Sequence, residues 1–325
     1  MKRNIVRIIR GTVVVVAALL GGLGTVLRAE EGGAGHYTPG ATASFIDALP
    51  GKPALALADY FMYYNGSASA NRPLPFPVRG EIALDVHSRA YADTILALYE
   101  TPLKLLGGNY TVGLAIPYVW VEVDGKVTGP LGNTIKMRDT ANGLGDITFY
   151  PFMLGWLKGD LKCDLRLGIY APTGDYETNR LANVGKNYWT FEPTMSASWF
   201  SSKMGLEATA FAGLDFSTRN DKTDYQSGDV FHLDATVAEH LPLGKLGAVG
   251  VGANGFYYQQ ITGDSGSGAA LGDFEGHTIG VGPVVSFIGK LGKTDIVAEV
   301  KWLPELDVSR RVKGDIVWAK LGLAF

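Results

Sequence analysis

Leu161-Lys-Cys-Asp-Leu-Arg-Leu-Gly-Ile169 decides the fold of this chain. Its odd positions are apolar except for the small thiol of Cys163, while Lys162, Asp164 and Arg166 fall on the even positions. A β-strand turns successive side chains to opposite faces, so this spacing makes one apolar face and one charged face. The pattern recurs on either side. Leu206-Glu-Ala-Thr-Ala-Phe-Ala-Gly-Leu-Asp-Phe216 sets Glu207, Thr209 and Asp215 opposite its apolar residues. Phe231–Val237, Ile296–Trp302 and Val317–Phe325 repeat it, and no helical period of any length interrupts them.

The spacing predicts twelve strands, at 54–64, 80–101, 109–124, 145–156, 161–172, 188–200, 205–217, 229–240, 246–262, 276–288, 294–303 and 315–325. Most reach the roughly 9–11 residues that a tilted strand needs to cross a bilayer. Their connections alternate in length. Those after odd strands (65–79, 125–144, 173–187, 218–228, 263–275, 304–314) have 11 to 20 residues, and those after even strands 4 to 7. An even number of strands with long loops at one end and tight turns at the other describes an outer-membrane barrel. Aromatic residues gather near strand ends, with Tyr63, Tyr64, Tyr118, Trp120, Tyr188, Trp189, Tyr257, Tyr258 and Trp302 by the long loops. Tyr99, Trp156, Trp199 and Phe325 lie by the short turns. Two such belts suit the two interfaces of a membrane. The fold class expected is therefore all-β: a single-chain antiparallel transmembrane β-barrel over residues 54–325, with long outer loops and short periplasmic turns. A secreted β-sandwich would also alternate, but its strands are shorter and it has no use for aromatic belts.

Composition agrees. Glycine numbers 43 of 325 residues, charged residues make up 19%, and the one long apolar run is Thr12–Leu27. Lys2, Arg3, Arg7 and Arg10 precede that run and Ala29 follows it, which reads as a signal peptide over 1–29 cleaved on export; the alternative is an N-terminal membrane anchor. Loss of 1–29 removes five basic groups and moves the net charge from −3 to −8. That balance argues against nucleic acid as a partner. Cys163 is the lone cysteine, so neither a disulfide framework nor a thiolate metal site is expected. Residues 30–53 form an N-terminal segment in which Phe45, Ile46 and Leu49 seek an apolar site; it is either a partial plug of the lumen or a periplasmic tail. Pro117, Pro151, Pro193 and Pro283 fall inside predicted strands, and a closed barrel has no edge to hold them, so bulges are expected there.

Several stretches resemble a known family. Gly143-Leu-Gly-Asp-Ile-Thr-Phe-Tyr-Pro151, Ala171-Pro-Thr-Gly-Asp-Tyr176 and Asn183-Val-Gly-Lys-Asn-Tyr-Trp-Thr-Phe-Glu-Pro193 are similar, in order and spacing, to signatures of the "MetA-pathway of phenol degradation" family. The His36-Tyr-Thr-Pro-Gly40 opening and the terminal Phe325 fit the same resemblance. It implies a bacterial outer-membrane barrel that passes hydrophobic or aromatic small molecules.

Alternation nominates the lumen residues as His87, Arg89, Tyr91 and Asp93; Lys162, Asp164, Arg166 and Tyr170; and Glu207, His232, Asp234, Glu299, Lys301 and Lys320. Asp146, beyond the bend made by Gly143 and Gly145, could also enter the lumen. Mixed charges on one face either pair into a structural network or form a constriction that selects solutes by charge. Pro172-Thr-Gly-Asp175 is a turn motif in which proline presets φ and Asp175 can cap the backbone. Phe325, with Leu321 and Leu323 on its face, resembles the terminal signal read by barrel-assembly machinery. No Gly-x-Ser-x-Gly elbow is present, and Ser265-Gly-Ser-Gly268 is a flexible loop tip, so an enzyme is not expected; neither is a metal or other cofactor. Expected partners are outer-membrane lipid, the assembly machinery and a small-molecule solute taken up by passive diffusion. A structural or adhesive barrel, or an outer-membrane lipid hydrolase, are the alternatives.

Overall fold

A computed structural model describes residues 34–49, 54–68, 74–75, 82–128, 134–178, 180–201, 203–269 and 275–325. The signal-peptide reading of 1–29 lies outside them. The strands are β1 (Ala54–Ala68), β2 (Leu74–Pro75), β3 (Ile82–Leu105), β4 (Gly108–Thr128), β5 (Thr134–Leu144), β6 (Ile147–Lys158) and β7 (Leu161–Ala171). They continue as β8 (Thr190–Ser201), β9 (Leu206–Ser217), β10 (Val230–Pro242), β11 (Ala248–Gln260), β12 (His277–Leu291), β13 (Thr294–Ser309) and β14 (Lys313–Ala324).

The sheet closes on itself. β1 pairs antiparallel with β14 from Ala56↔Ala324 to Ser67↔Lys313, and on its other side with β3. β3 pairs with β4, β4 with β6, and each later strand with the next. Twelve strands make the wall. The other two lie beyond it: β2 touches only the outer end of β3, and β5 pairs with the upper half of β4. The segment 125–144, expected to be loop, thus holds a strand. With 24 and 21 residues, β3 and β4 are about twice as long as a bilayer crossing requires. Their surplus rises past the membrane with β5 as a raised flap of sheet.

Closure leaves no unpaired edge within the twelve-stranded wall, so the backbone groups there are satisfied without water. Side chains are sorted the reverse of a soluble protein. Glu207, His232, Asp234, Glu299, Lys301 and Lys320 are buried inside, while Val237, Leu241, Val251, Val285 and Val300 stand exposed outside. That inversion is stable only where the outer solvent is hydrocarbon. Among the described residues no helix is long and apolar enough to cross a membrane; the strands do so.

The strand prolines fall where the ladder is interrupted. Pro151 lies in a register shift between Phe149 and Phe152, the bulge expected of it. Pro117 lies at the junction where β4 exchanges β5 for β6 as its neighbour. At Pro193 and Pro283 the ladder to one neighbouring strand is broken for a few residues while the register on either side is kept, so these two are gaps rather than bulges. In each case the missing N–H leaves no partner stranded.

Three belt aromatics are turned inward. Tyr64 lines the lumen, and Tyr188 and Tyr258 are buried there. Tyr63, Tyr118, Trp120, Trp189 and Trp302 alternate with them and remain on the outer face.

Candidate functional site

The lumen is occupied by the chain's own N-terminal segment. Residues 34–49 enter it, and each turn of their path is held by a wall residue. Near the long-loop end, His36 meets Asp146 (Nε2–Oδ2 2.9 Å) and Thr190 (Nδ1–Oγ1 2.7 Å). Next, Tyr37 donates its hydroxyl to Asp234 Oδ2 (2.8 Å) and Gly40 donates its N–H to Asp234 Oδ1 (2.7 Å). Trp318 Nε1 donates to the Pro39 carbonyl (2.9 Å). Gly40 has φ +79°, and a Cβ there would stand 2.5 Å from Leu303 Cδ1, so only glycine fits between backbone and wall. Toward the short-turn end Phe45 N–H donates to Glu207 (2.8 Å) and a single 3-10 turn, Phe45–Asp47, presents Asp47 to the wall. Lys320 Nζ lies 2.9 Å from both Asp47 oxygens, Tyr60 donates to Oδ1 (2.8 Å), and Arg166 Nη2 donates to the Asp47 carbonyl (3.0 Å).

The three family-like motifs converge on Asp146. Its Oδ1 accepts from Gly174 N–H (2.8 Å) and its Oδ2 from Lys186 N–H (2.7 Å), in addition to His36. Thr173 bridges the break between β5 and β6, donating to the Gly145 carbonyl (3.1 Å) and accepting from Ile147 N–H (2.9 Å). Gly174 and Gly185 touch backbone to backbone; a Cβ on Gly185 would fall 2.4 Å from the Gly174 carbonyl oxygen. Burial alone would raise the Asp146 carboxyl, but the hydrogen bond and charge of His36 and the two backbone N–H donors outweigh it and hold it below the usual range. The Pro172–Asp175 stretch therefore fastens the wall as well as turning the chain, while Asp175 itself points out to Arg180 (2.5 Å).

The remaining charges form a buried network on one side of the barrel. Arg166 grips Asp164 through Nε (2.8 Å) and Nη2 (2.7 Å). Glu299 lies 2.9 Å from Lys301 and 3.3 Å from Lys320. Lys162 and Tyr170 also face the lumen. The opposite side, made by β1, β3 and β4, carries Ala56, Ala58, Ala90, Ala92, Leu96 and Val121 on its inner face. Between that apolar wall and the N-terminal segment lies a cavity of about 920 Å³.

Four nominated residues are misplaced by alternation alone. His87, Arg89, Tyr91 and Asp93 face outward, because the inner face of β3 is Val86, Ser88, Ala90, Ala92 and Thr94. His87 bonds Asn65 (2.8 Å) beside Asp124, and Tyr91 packs at a tilt against Tyr63 (5.0 Å between centroids) on the outside. The rule that charge marks the lumen fails in this sector: the inner face of β3 is mostly apolar and small, with Glu100 near the short-turn end as its buried charge, and the upper part of β3 rises past the membrane. Asp146, Lys162, Asp164, Arg166, Tyr170, Glu207, His232, Asp234, Glu299, Lys301 and Lys320 are all brought to the lumen side. Reading the sequence alone puts Asp215 on the charged face of its strand without nominating it as a site residue, and misses His36, Asp47, Glu192 and His240. Glu192 lies within the expected strand 188–200 and could have been found from its alternation; His240 likewise follows His232 and Asp234 and meets Glu207 at 2.9 Å.

Residues 32–321 match the family described as "MetA-pathway of phenol degradation". This chain belongs to that family. The "MetA-pathway" assignment covers the N-terminal segment, the three motifs around Asp146 and nearly all of the barrel. Comparison with curated proteins gives no significant match. Among solved structures, the chain is similar to the COG4313 outer membrane channel from Pseudomonas putida F1, with TM-score 0.60 and 14% identity over 89% of this chain and 100% of that one. It is also similar, at TM-score 0.47 and 14% identity, to the β domain of the Bordetella autotransporter BrkA, over 84% of this chain and all of that one. At these identities the likeness is one of fold, that of an outer-membrane barrel.

Proposed function

We propose that this protein is an outer-membrane channel that passes small hydrophobic or aromatic solutes by passive diffusion. The observation that carries the reading is the cavity of about 920 Å³ against the apolar faces of β1, β3 and β4. Its size lies in the range of small-molecule sites, roughly 300–1,000 Å³; its lining is aliphatic along much of β1, β3 and β4, and Lys162, Arg166, Glu192 and Arg311 border it elsewhere. The solved Pseudomonas putida protein of similar fold is an outer membrane channel, which supports the same reading. Export by a signal peptide over 1–29 and insertion by barrel-assembly machinery belong to the proposal.

The test is uptake by proteoliposomes of phenol and benzoate beside a sugar of similar mass, with single-channel conductance in planar bilayers. Faster entry of the aromatic solutes, and slower ionic current when they are present, is expected. A second reading, a barrel with a structural role only, is favoured by the N-terminal segment that fills the lumen. No solute flux and no conductance at any voltage would establish it over the first.

A further inference from the structure

Three neighbouring strands bring Glu192 (β8), Asp215 (β9) and His232 (β10) together on the inner face. His232 is opposite Gly213, and a Cβ on that glycine would fall 2.3 Å from His232 Nε2. The imidazole therefore lies flat across the glycine, reaching toward the place where the β8–β9 ladder is broken at Glu192-Pro193 and Leu214-Asp215. Its Nε2 stands 3.3 Å from Glu192 Oε1 and 3.6 Å from Asp215 Oδ1, and one donor atom from each residue lies within 4.8 Å of the others.

These separations are long for charge-assisted hydrogen bonds, which settle near 2.7–2.9 Å. The two His232 separations are close to the spacing of donors around a tetrahedral ion, where bonds of about 2.1 Å set ligands about 3.4 Å apart, and the two carboxylates lie within 4.8 Å of each other. His232 is fully buried, and neither ring nitrogen makes a hydrogen bond of ordinary geometry. The ring is ion-paired with Glu192, Asp215 and Asp234 only at 3.3–3.9 Å, and an ion between Glu192, Asp215 and the ring would bring those three to bonding distance.

The surroundings are those of a ligand shell. Asp234 Oδ2 lies 3.9 Å from His232 Nδ1, on the far side of the ring from Glu192 and Asp215. A carboxylate at that distance acts on the imidazole through its charge rather than through a hydrogen bond, and favours a cation on the other side of the ring. Thr194 and Tyr170 donate to the two oxygens of Glu192, aiming that carboxylate in turn. Tyr37 stacks on His232 with 4.0 Å between ring centroids while bonding Asp234.

We propose that Glu192, Asp215 and His232 bind one divalent transition-metal ion, zinc foremost, which locks the N-terminal segment in the lumen through Asp234 and Tyr37. One imidazole and two carboxylates, with no thiolate, suit zinc, cobalt or manganese. Calcium and magnesium take oxygen donors and are disfavoured by the imidazole.

The full-length mature barrel, purified without a polyhistidine tag and stripped with chelator, is titrated with ZnCl2 and separately with CoCl2. One ion per chain retained through gel filtration is expected, with visible cobalt bands of a low-coordinate site. Glu192→Gln and Asp215→Asn, checked for folding by heat modifiability, each lower the affinity at least about tenfold; Asp234→Asn, which removes only a nearby charge, lowers it by a smaller factor. The double variant His87→Ala/His277→Ala, which removes imidazoles on the exposed ends of the strands, leaves it unchanged. No retained ion, or an affinity equal in Glu192→Gln and the unaltered protein, overturns the site and leaves an ion-paired histidine. If those variants do not fold, X-ray absorption of the zinc-loaded unaltered protein decides. A shell of one imidazole and oxygen donors sustains the assignment, and a shell without imidazole ends it.

Discussion

Lys320 Nζ lies 2.9 Å from both carboxylate oxygens of Asp47, joining the last strand to a segment 273 positions earlier in the chain. Both side chains are shut off from solvent. Removing the cation leaves a buried carboxylate facing Glu299, which costs about 3–5 kcal/mol. Lys320→Met is expected to lower the thermal midpoint of the detergent-solubilised barrel and to raise its ionic conductance as the segment loosens. Lys320→Arg retains most of both properties. An unchanged midpoint in Lys320→Met would show that the segment is held elsewhere.

Asp146 gathers the three motifs and His36, and its carboxyl is held below the ordinary range. A group depressed on folding contributes stability above its unfolded pKa, near 3.9, and loses it as pH falls through the lower folded value. The His36 end of the segment is therefore expected to stay clamped at neutral pH and to release under strongly acidic conditions. A fluorophore on Gly35→Cys, with Cys163→Ser as background, reports the release. In Asp146→Asn the clamp weakens by about 1–3 kcal/mol at neutral pH and its acid transition disappears.

Arg166 is nearly buried and bonded to Asp164 and to the Asp47 carbonyl. Its charge is matched by Asp164, so the proposal that it draws small anions into the lumen needs a direct test. Arg166→Gln, which keeps polar reach without charge, is expected to reduce anion preference in reversal-potential measurements. Folding is checked first by heat modifiability. An unaltered preference would assign Arg166 to packing alone.

Long loops face outward from the cell if the barrel is inserted as others of its kind are. Cysteines at Asp221 and Ser267, both in long connections, should label on intact cells with a membrane-impermeant maleimide. A cysteine at Lys245, in a short turn, should label only after the outer membrane is broken. The opposite pattern would invert the topology.

Phe325 closes the chain with its N–H bonded to the Leu55 carbonyl (3.0 Å) and its ring 61% exposed. The exposed terminal ring makes few contacts within the chain, and the proposal that it is read during assembly is tested by its removal. Deleting Phe325 should lower the amount of heat-modifiable barrel in the outer membrane while synthesis continues. A normal level would show that assembly reads another feature.

What the amino-acid order determined alone is the wall. Period-two alternation in stretches such as Leu161–Ile169, strand lengths near a bilayer crossing and loops of alternating length specify an even, closed, antiparallel barrel, because each is a local property of the strand. Alternation also carries most of β7, β9, β10, β13 and β14 correctly to the lumen. The tertiary structure decided the rest. His87, Arg89, Tyr91 and Asp93 turned outward since a strand's two faces are related only by parity, and which one is interior depends on its neighbours. The course of residues 34–49 through the lumen could not be read locally, as its anchors Asp146, Asp234, Glu207 and Lys320 lie on separate strands. The same holds for Glu192, Asp215 and His232: closure of the sheet sets them within 4.8 Å of one another, a distance no spacing along the chain encodes.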